Sequence, residues 1–144
     1  AKGCTIHPYA VINAYASIGT GCIINTQADI EHDCVVEDFV NVCPKVSMAG
    51  HTVVGRKTFL GIGCTIIDGI RIGTEATVGA GAVVIRDVPD HTAVAGVPAV
   101  MPAAVTAGFL TVRLTVGTLG RLYGIVKELI LEICLGFILE VCQG

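Results

Sequence analysis

An all-β fold, a parallel β-helix of triangular cross-section, is predicted by three observations. The first is an aliphatic residue at every sixth position: Ile6, Ile12, Ile18, Ile24, Ile30, Val36, Val42, Met48, Val54, Leu60, Ile66, Ile72, Val78 and Val84, fourteen in a row without a slip. Neither the 3.6-residue period of a helix nor the two-residue alternation of an ordinary strand produces that spacing. The second is a mostly small residue four positions after each aliphatic one, as at Ala10, Ala16, Cys22, Ala28, Cys34, Cys64, Ala76 and Ala82. The third is glycine directly after the aliphatic residue at Gly19, Gly55, Gly61, Gly73 and Gly79.

Each six-residue unit reads as a short strand plus a corner. The aliphatic side chain fills the interior, and the small one lets the corner turn tightly. Glycine or a polar residue tolerates the strained corner backbone. Three units close one coil, so residues 18 apart stack, and successive coils pair through strand hydrogen bonds at about 4.8 Å. The pattern predicts four to five coils over residues 6 to about 89, with the aliphatic column buried. It ends near Pro89, and Ala95-Gly96-Val97-Pro98-Ala99 follows.

Cys4, Cys22, Cys34 and Cys64 share the small-residue phase, and no Cys-x-x-Cys pair occurs among the seven cysteines. They therefore read as core thiols rather than disulfides or metal ligands. The formal net charge of −3 offers no basic face for nucleic acid. The chain starts at Ala1 with no signal-like segment. It is expected to be cytoplasmic and a piece of a longer protein.

The composition changes after Pro102, which divides a β-helix domain, 1–102, from a tail, 103–144. Within the tail, residues 121–142 read as an apolar helix carrying Glu128, Glu132 and Glu140 on one stripe. Five charges interrupt it, so no membrane span is expected. A helix packed on the β-helix or on a partner is one reading of the tail, and non-native, frame-shifted sequence is the other.

The stacking rule places Ala14, His32, Gly50, Asp68 and Arg86 in one corner column. His32 is expected to point outward with a notch above it, since Gly50 has no side chain, and with an accessible backbone N–H there. Asp33 is its neighbour in sequence, and His51 stacks over Asp33. An imidazole beside a carboxylate suits general-base chemistry, and a backbone N–H can stabilise an oxyanion. A solvated surface histidine with a chance aspartate neighbour is the alternative. The four histidines look too scattered for a compact metal site, with no close pair, so no metal is expected.

The stretch from Ile24 to Val35, with Asn25-Thr26 and Glu31-His32-Asp33-Cys34, is similar to the signature of sugar O-acyltransferases of the sialic acid O-acetyltransferase type. That group includes nucleotide-4-amino-sugar N-acetyltransferases. Leu60-Gly61-Ile62-Gly63, Val78-Gly79-Ala80-Gly81, Arg86-Asp87-Val88-Pro89 and Ala95-Gly96-Val97-Pro98-Ala99 fit as well, so the resemblance covers residues 1 to about 100. It implies a left-handed helix, acetyl-CoA as co-substrate and a sugar or nucleotide-sugar acceptor. By the same resemblance, His32 is the proton acceptor and Asp33 the acid that raises its pKa. Asn25 then lines the acceptor site, and Asn41, Gly50, Gly61, Ile62, Gly79 and Ala80 mark the acetyl-CoA site. Related aminosugar enzymes can carry His where this chain has Asn41, and they usually begin with a small Rossmann-like domain that these 144 residues do not include.

Two functions are expected to compete. One is direct acetyl transfer to an amine or hydroxyl in a ternary complex, with Cys34 discounted as a nucleophile because it points inward. The other is a non-catalytic β-helix module for binding or assembly. His32 and the Gly61–Gly79 column lie on different edges of the prism, so a homotrimer with shared clefts is expected, and the resemblance agrees.

Overall fold

The computed structural model describes residues 2–102. Fifteen two-residue strands follow one another and pair only in parallel. The first sheet stacks β1 (Thr5–Ile6), β4 (Ile23–Ile24), β7 (Asn41–Val42), β10 (Phe59–Leu60), β13 (Thr77–Val78) and β15 (Ala93–Val94). The second stacks β2 (Val11–Ile12), β5 (Asp29–Ile30), β8 (Ser47–Met48), β11 (Thr65–Ile66) and β14 (Val83–Val84). The third stacks β3 (Ser17–Ile18), β6 (Val35–Val36), β9 (Val53–Val54) and β12 (Arg71–Ile72). Up to β14 every third strand is a neighbour, which is the β-solenoid that the six-residue period predicts. The register is 18 residues from β1 to β14, as in Ile24↔Val42 and Ile30↔Met48.

From Ile24 to Val84 the aliphatic column is 0–1% exposed, so Ile30, Val36 and Val42 lie in the core as expected. Burying each such side chain contributes about 1.5–3 kcal/mol relative to exposure. The bottom of the column departs from the expectation. Ile6 is 56% exposed, and Ile12 and Ile18 are only half-buried. An interior side chain needs a coil on both sides, and among the described residues the first coil has one on one side only.

The solenoid also runs past Pro89. Val88 bridges to Ile72 and Val94 pairs with Val78, both 16 residues apart rather than 18. Two residues are missing from the unit after Val84, so a strict six-residue count loses phase while the coil itself continues. Ala95 then bridges antiparallel to Val100.

The glycine expectation needs a different cause. The strained position is three after the aliphatic residue, where φ is +53° to +66° at non-glycines such as Tyr15, Asp33, His51 and Lys57, and at Gly21 and Gly63. The glycines directly after the aliphatic residue are needed because the next coil passes close. A Cβ on Gly55 would lie 2.5 Å from the Thr74 nitrogen, and one on Gly61 would lie 2.6 Å from the Val78 oxygen.

The small buried residues do more than fill corners. The Sγ of Cys22 and of Cys34 donates to the Glu37 and Ala49 carbonyls of the next coil, at 3.0 and 3.2 Å. The Thr58 hydroxyl donates likewise to the Gly73 carbonyl at 2.7 Å. Cys, Thr and Ala interchange here because a small side chain fits, and a donor on it satisfies a corner carbonyl. Burial pushes the Cys64 thiol up to about 12 and raises Cys34, which keeps both protonated. The expected helical tail, 103–144, lies outside the described residues. Among those described, no helix is long and apolar enough to cross a membrane.

Candidate active site

The corner after β5 carries the site. Asp33 takes the strained position there, φ +57°, a conformation aspartate tolerates better than most residues. Its amide donates to the Ala14 carbonyl in the coil before, at 3.1 Å, and the His32 carbonyl accepts from the His51 amide in the coil after, also at 3.1 Å. The corner backbone is thus tied on both sides, and its side chains are directed outward.

His32 Nδ1 lies 2.9 Å from Asp33 Oδ2. Both side chains are about half exposed, at 53% and 43%. The hydrogen bond to Asp33 is the main cause that raises the His32 pKa, against a smaller opposing effect of desolvation, and the charges of Asp33, Glu31 and Asp68 add to the rise. With Nδ1–H donating to Asp33, a neutral ring carries its free lone pair on Nε2.

The open notch expected above the ring is occupied by the ring itself. A Cβ on Gly50 would meet His32 Cε1 at 2.7 Å and Nε2 at 2.9 Å, and Asp68 Oδ1 at 3.2 Å. Gly50 is therefore buried between imidazole and carboxylate rather than open to solvent. Its N–H has no acceptor among the described residues.

The scattered-histidine expectation is corrected as well. His32 and His51 are 19 apart in sequence, but one coil brings their rings to 5.2 Å, edge to face. A ring nitrogen of each and a carboxylate oxygen of Asp33 lie within 4.8 Å of one another. Sequence distance hid a pair that the 18-residue stacking rule makes visible.

The remaining candidates sit on another edge. Asn25 Nδ2 donates to Asn41 Oδ1 at 3.0 Å and to the Val42 carbonyl at 2.8 Å. This fixes the Asn41 amide with its oxygen toward Asn25 and its NH2 group without a partner among the described residues. Gly61, Ile62, Gly79 and Ala80 lie above them on the corner between the first and second sheets, where Ile62 and Ala80 are exposed. Gly61 and Gly79 have a packing reason of their own, since a Cβ on Gly79 would lie 2.9 Å from the Ala95 Cβ. One edge therefore groups Asn25, Asn41, Gly61, Ile62, Gly79 and Ala80. The second sheet separates it from the edge with His32, Asp33 and Gly50.

Asp29 was not singled out by sequence. Its Oδ1 is buried with no hydrogen-bond partner among the described residues, and burial, then the Glu31 charge, raises its pKa. The available signal was an acid at a strand position where neighbouring coils carry Val11, Ser47 and Thr65. Asp68 was placed in the His32 column, but its part in the field around the base was not foreseen.

Known proteins share the repeat and the fold of this chain. Residues 51–86 match the family model described as bacterial transferase hexapeptide (six repeats). A serine acetyltransferase of Mycobacterium tuberculosis is 35% identical over 100 residues, which cover 67% of this chain and 44% of that protein. Among solved structures, a point mutant of GDP-perosamine N-acetyl transferase from Caulobacter crescentus, in complex with CoA and GDP-perosamine, is 36% identical with a TM-score of 0.66. That match covers 70% of this chain and 51% of the other. The acetyltransferase domain of PglB from Neisseria gonorrhoeae, in complex with acetyl coenzyme A, is 30% identical with a TM-score of 0.54, over 69% and 55%. The chain spans about half the length of these solved structures and less than half of that curated relative. Residues 51–86 carry the repeat of that bacterial transferase hexapeptide model, and the same six-residue spacing runs from Ile6 to Val84.

Proposed function

We propose that the chain transfers an acetyl group from acetyl-CoA to an amine or hydroxyl of a sugar or nucleotide-sugar, of the sialic acid or 4-amino-sugar type. The observation that carries this reading is the His32–Asp33 pair, an exposed imidazole oriented by a carboxylate at 2.9 Å beside a glycine N–H that has no acceptor among the described residues. His32 Nε2 takes the acceptor's proton as its heteroatom attacks the thioester carbonyl. Asp33 stabilises the imidazolium that forms. The Gly50 N–H, which has no acceptor among the described residues, donates to the developing oxyanion. The C–S bond breaks, and coenzyme A leaves as thiolate, to which the imidazolium returns a proton. No covalent enzyme intermediate is required, in keeping with the raised pKa of buried Cys34.

Asn25 and Asn41, with Gly61, Ile62, Gly79 and Ala80, hold the acceptor and the pantetheine arm on the second edge. The GDP-perosamine N-acetyl transferase structure with CoA and GDP-perosamine supports this class of donor and acceptor, and the PglB acetyltransferase domain with acetyl coenzyme A supports the donor. The serine acetyltransferase relatives favour a second acceptor, the hydroxyl of serine, attacked by the same chemistry.

The test is acetyl-CoA-dependent thiol release by the full chain with a nucleotide-linked 4-amino-sugar, sialic acid and serine as acceptors. A sugar acceptor is expected to turn over, and His32→Ala to slow it by about 10²–10⁴ without unfolding the protein. Turnover with serine alone selects the second acceptor. If no acceptor releases thiol, or His32→Ala keeps the wild-type rate, the catalytic reading fails and a binding or assembly module remains.

A further inference from the structure

We propose that His32, Asp33 and His51 form a binding site for a borderline transition-metal ion, zinc in the first instance, and that an ion bound there switches off the base. Two imidazole nitrogens and a carboxylate oxygen lie within 4.8 Å of one another, all on exposed side chains. Zinc takes imidazole at about 2.0–2.1 Å and carboxylate at about 2.0–2.2 Å. The three donors therefore need to draw in by roughly 1 Å, which exposed rings and a carboxylate achieve by small side-chain rotations. The donor set, two His and one acid with room for water, suits zinc and its neighbours rather than calcium or magnesium, which prefer oxygen.

The backbone beneath the cluster is already arranged. Asp33 and His51 occupy equivalent strained positions in successive coils, φ +57° and +56°. The His51 amide is bonded to the His32 carbonyl at 3.1 Å, and His32 precedes Asp33 in the same corner. The three α-carbons are thus held by the stacking of two coils, and little ordering remains for a metal to impose. Glu31 and Asp68, whose charges reach His32, add attraction for a cation.

The consequence for catalysis follows from the valence of imidazole. A neutral ring has one free lone pair. A metal on Nε2 occupies the base directly. A metal on Nδ1 displaces the bond to Asp33 and forces the proton onto Nε2. Both outcomes leave His32 unable to accept the acceptor's proton. His51 takes no part in the proposed transfer, so it separates metal binding from catalysis.

The binding arm is independent of the proposed activity, and only the inhibition arm rests on His32 as the base. The experiment titrates the full chain with zinc by calorimetry and with cobalt(II) by visible absorbance, for wild type, His51→Asn and His91→Asn. Asparagine tolerates the strained backbone at both positions. Wild type and His91→Asn are expected to bind one ion with tetrahedral cobalt bands. His51→Asn is expected to bind at least about tenfold more weakly, the lower end of what losing even an outer-shell partner costs. Where thiol release is active, zinc inhibits wild type, chelator restores it, and metal-free His51→Asn keeps the wild-type rate. Absence of saturable binding, equal affinity in His51→Asn, or a thiolate-to-cobalt charge-transfer band placing the ion on cysteine overturns the site. Tight zinc binding with no effect on an active enzyme overturns only the switch.

Discussion

The imidazole of His32 is controlled by two neighbours of different kinds. Asp33 sets its proton affinity and Gly50 sets its position. Because the bond to Asp33 is the leading cause of the raised pKa, and the proposed base acts only as the neutral ring, activity is expected to rise with pH through a midpoint above the ordinary histidine value of about 6.5. Asp33→Asn removes the charge and keeps a side chain suited to the strained backbone. The kcat/KM profile of that variant is expected to shift its midpoint toward lower pH, with a lower plateau because the imidazolium loses its counter-charge. An unchanged midpoint would mean that Asp33 does not tune the base. Gly50→Ala tests position. The added methyl would press on His32 Cε1 at 2.7 Å, the end of a movable exposed side chain, so the fold has little to resist. A displaced base of about 1 Å costs on the order of 10²-fold in rate. Thiol-release kinetics should show that loss, while the thermal midpoint stays at the wild-type value.

At the scale of the corner, glycines that look alike in sequence serve two purposes. Gly63 and Gly81 supply positive φ, and a Cβ on either meets nothing within 4 Å. Gly55 has no such φ, but the backbone of the next coil fills its Cβ position, at 2.5 Å from the Thr74 nitrogen and 2.6 Å from the Gly73 carbonyl carbon. Backbone cannot swing aside as a side chain does. Gly55→Ala is therefore expected to destabilise by about 1–3 kcal/mol, the usual cost of overpacking, measured by denaturant unfolding. A neutral result would show that adjacent coils separate easily. This distinction explains what the sequence made legible. Period and burial from Ile24 to Val84 were readable because a core side chain recurs at fixed spacing. The role of each glycine was not, because it depends on the coil above rather than on the residues beside it. The shortened unit at Ile72↔Val88 escaped for a related reason, since a count by six cannot follow a coil of 16. Of the site, the His32–Asp33 pair was adjacent in sequence and visible. The ring's occupation of the space over Gly50, the approach of His51 and the orphaned oxygen of Asp29 are side-chain events between coils.

At the scale of the whole prism, the two halves of the proposed machinery lie on different edges. His32 and Gly50 follow β5 and β8 of the second sheet, whereas Ile62 and Ala80 follow β10 and β13 of the first. On that proposal, one thioester would meet His32 while its pantetheine ran along the Ile62–Ala80 edge. Side-by-side packing of prisms lets one subunit's base face its neighbour's glycine edge, and a threefold ring closes that heterologous contact into three equal clefts. A homotrimer with acetyl-CoA at each interface is the expected assembly. Mixing subunits tests it without knowledge of the interface residues. His32→Ala removes one edge of a cleft. Ala80→Trp blocks the other, and Ala80 is preferable to Gly79 because it is exposed, whereas a side chain on Gly79 would strike Ala95. Each variant alone is expected to be inactive. After joint refolding in equal amounts, a cleft works when an Ala80→Trp subunit supplies His32 and a His32→Ala subunit supplies Ala80. Random assembly gives that combination in about a quarter of clefts. Recovery of about a quarter of wild-type turnover, in a species that sediments as a trimer, supports the shared site. If both mutations fell within one cleft of one chain, mixing would recover nothing, and full wild-type activity in a sedimenting monomer would overturn the shared site outright.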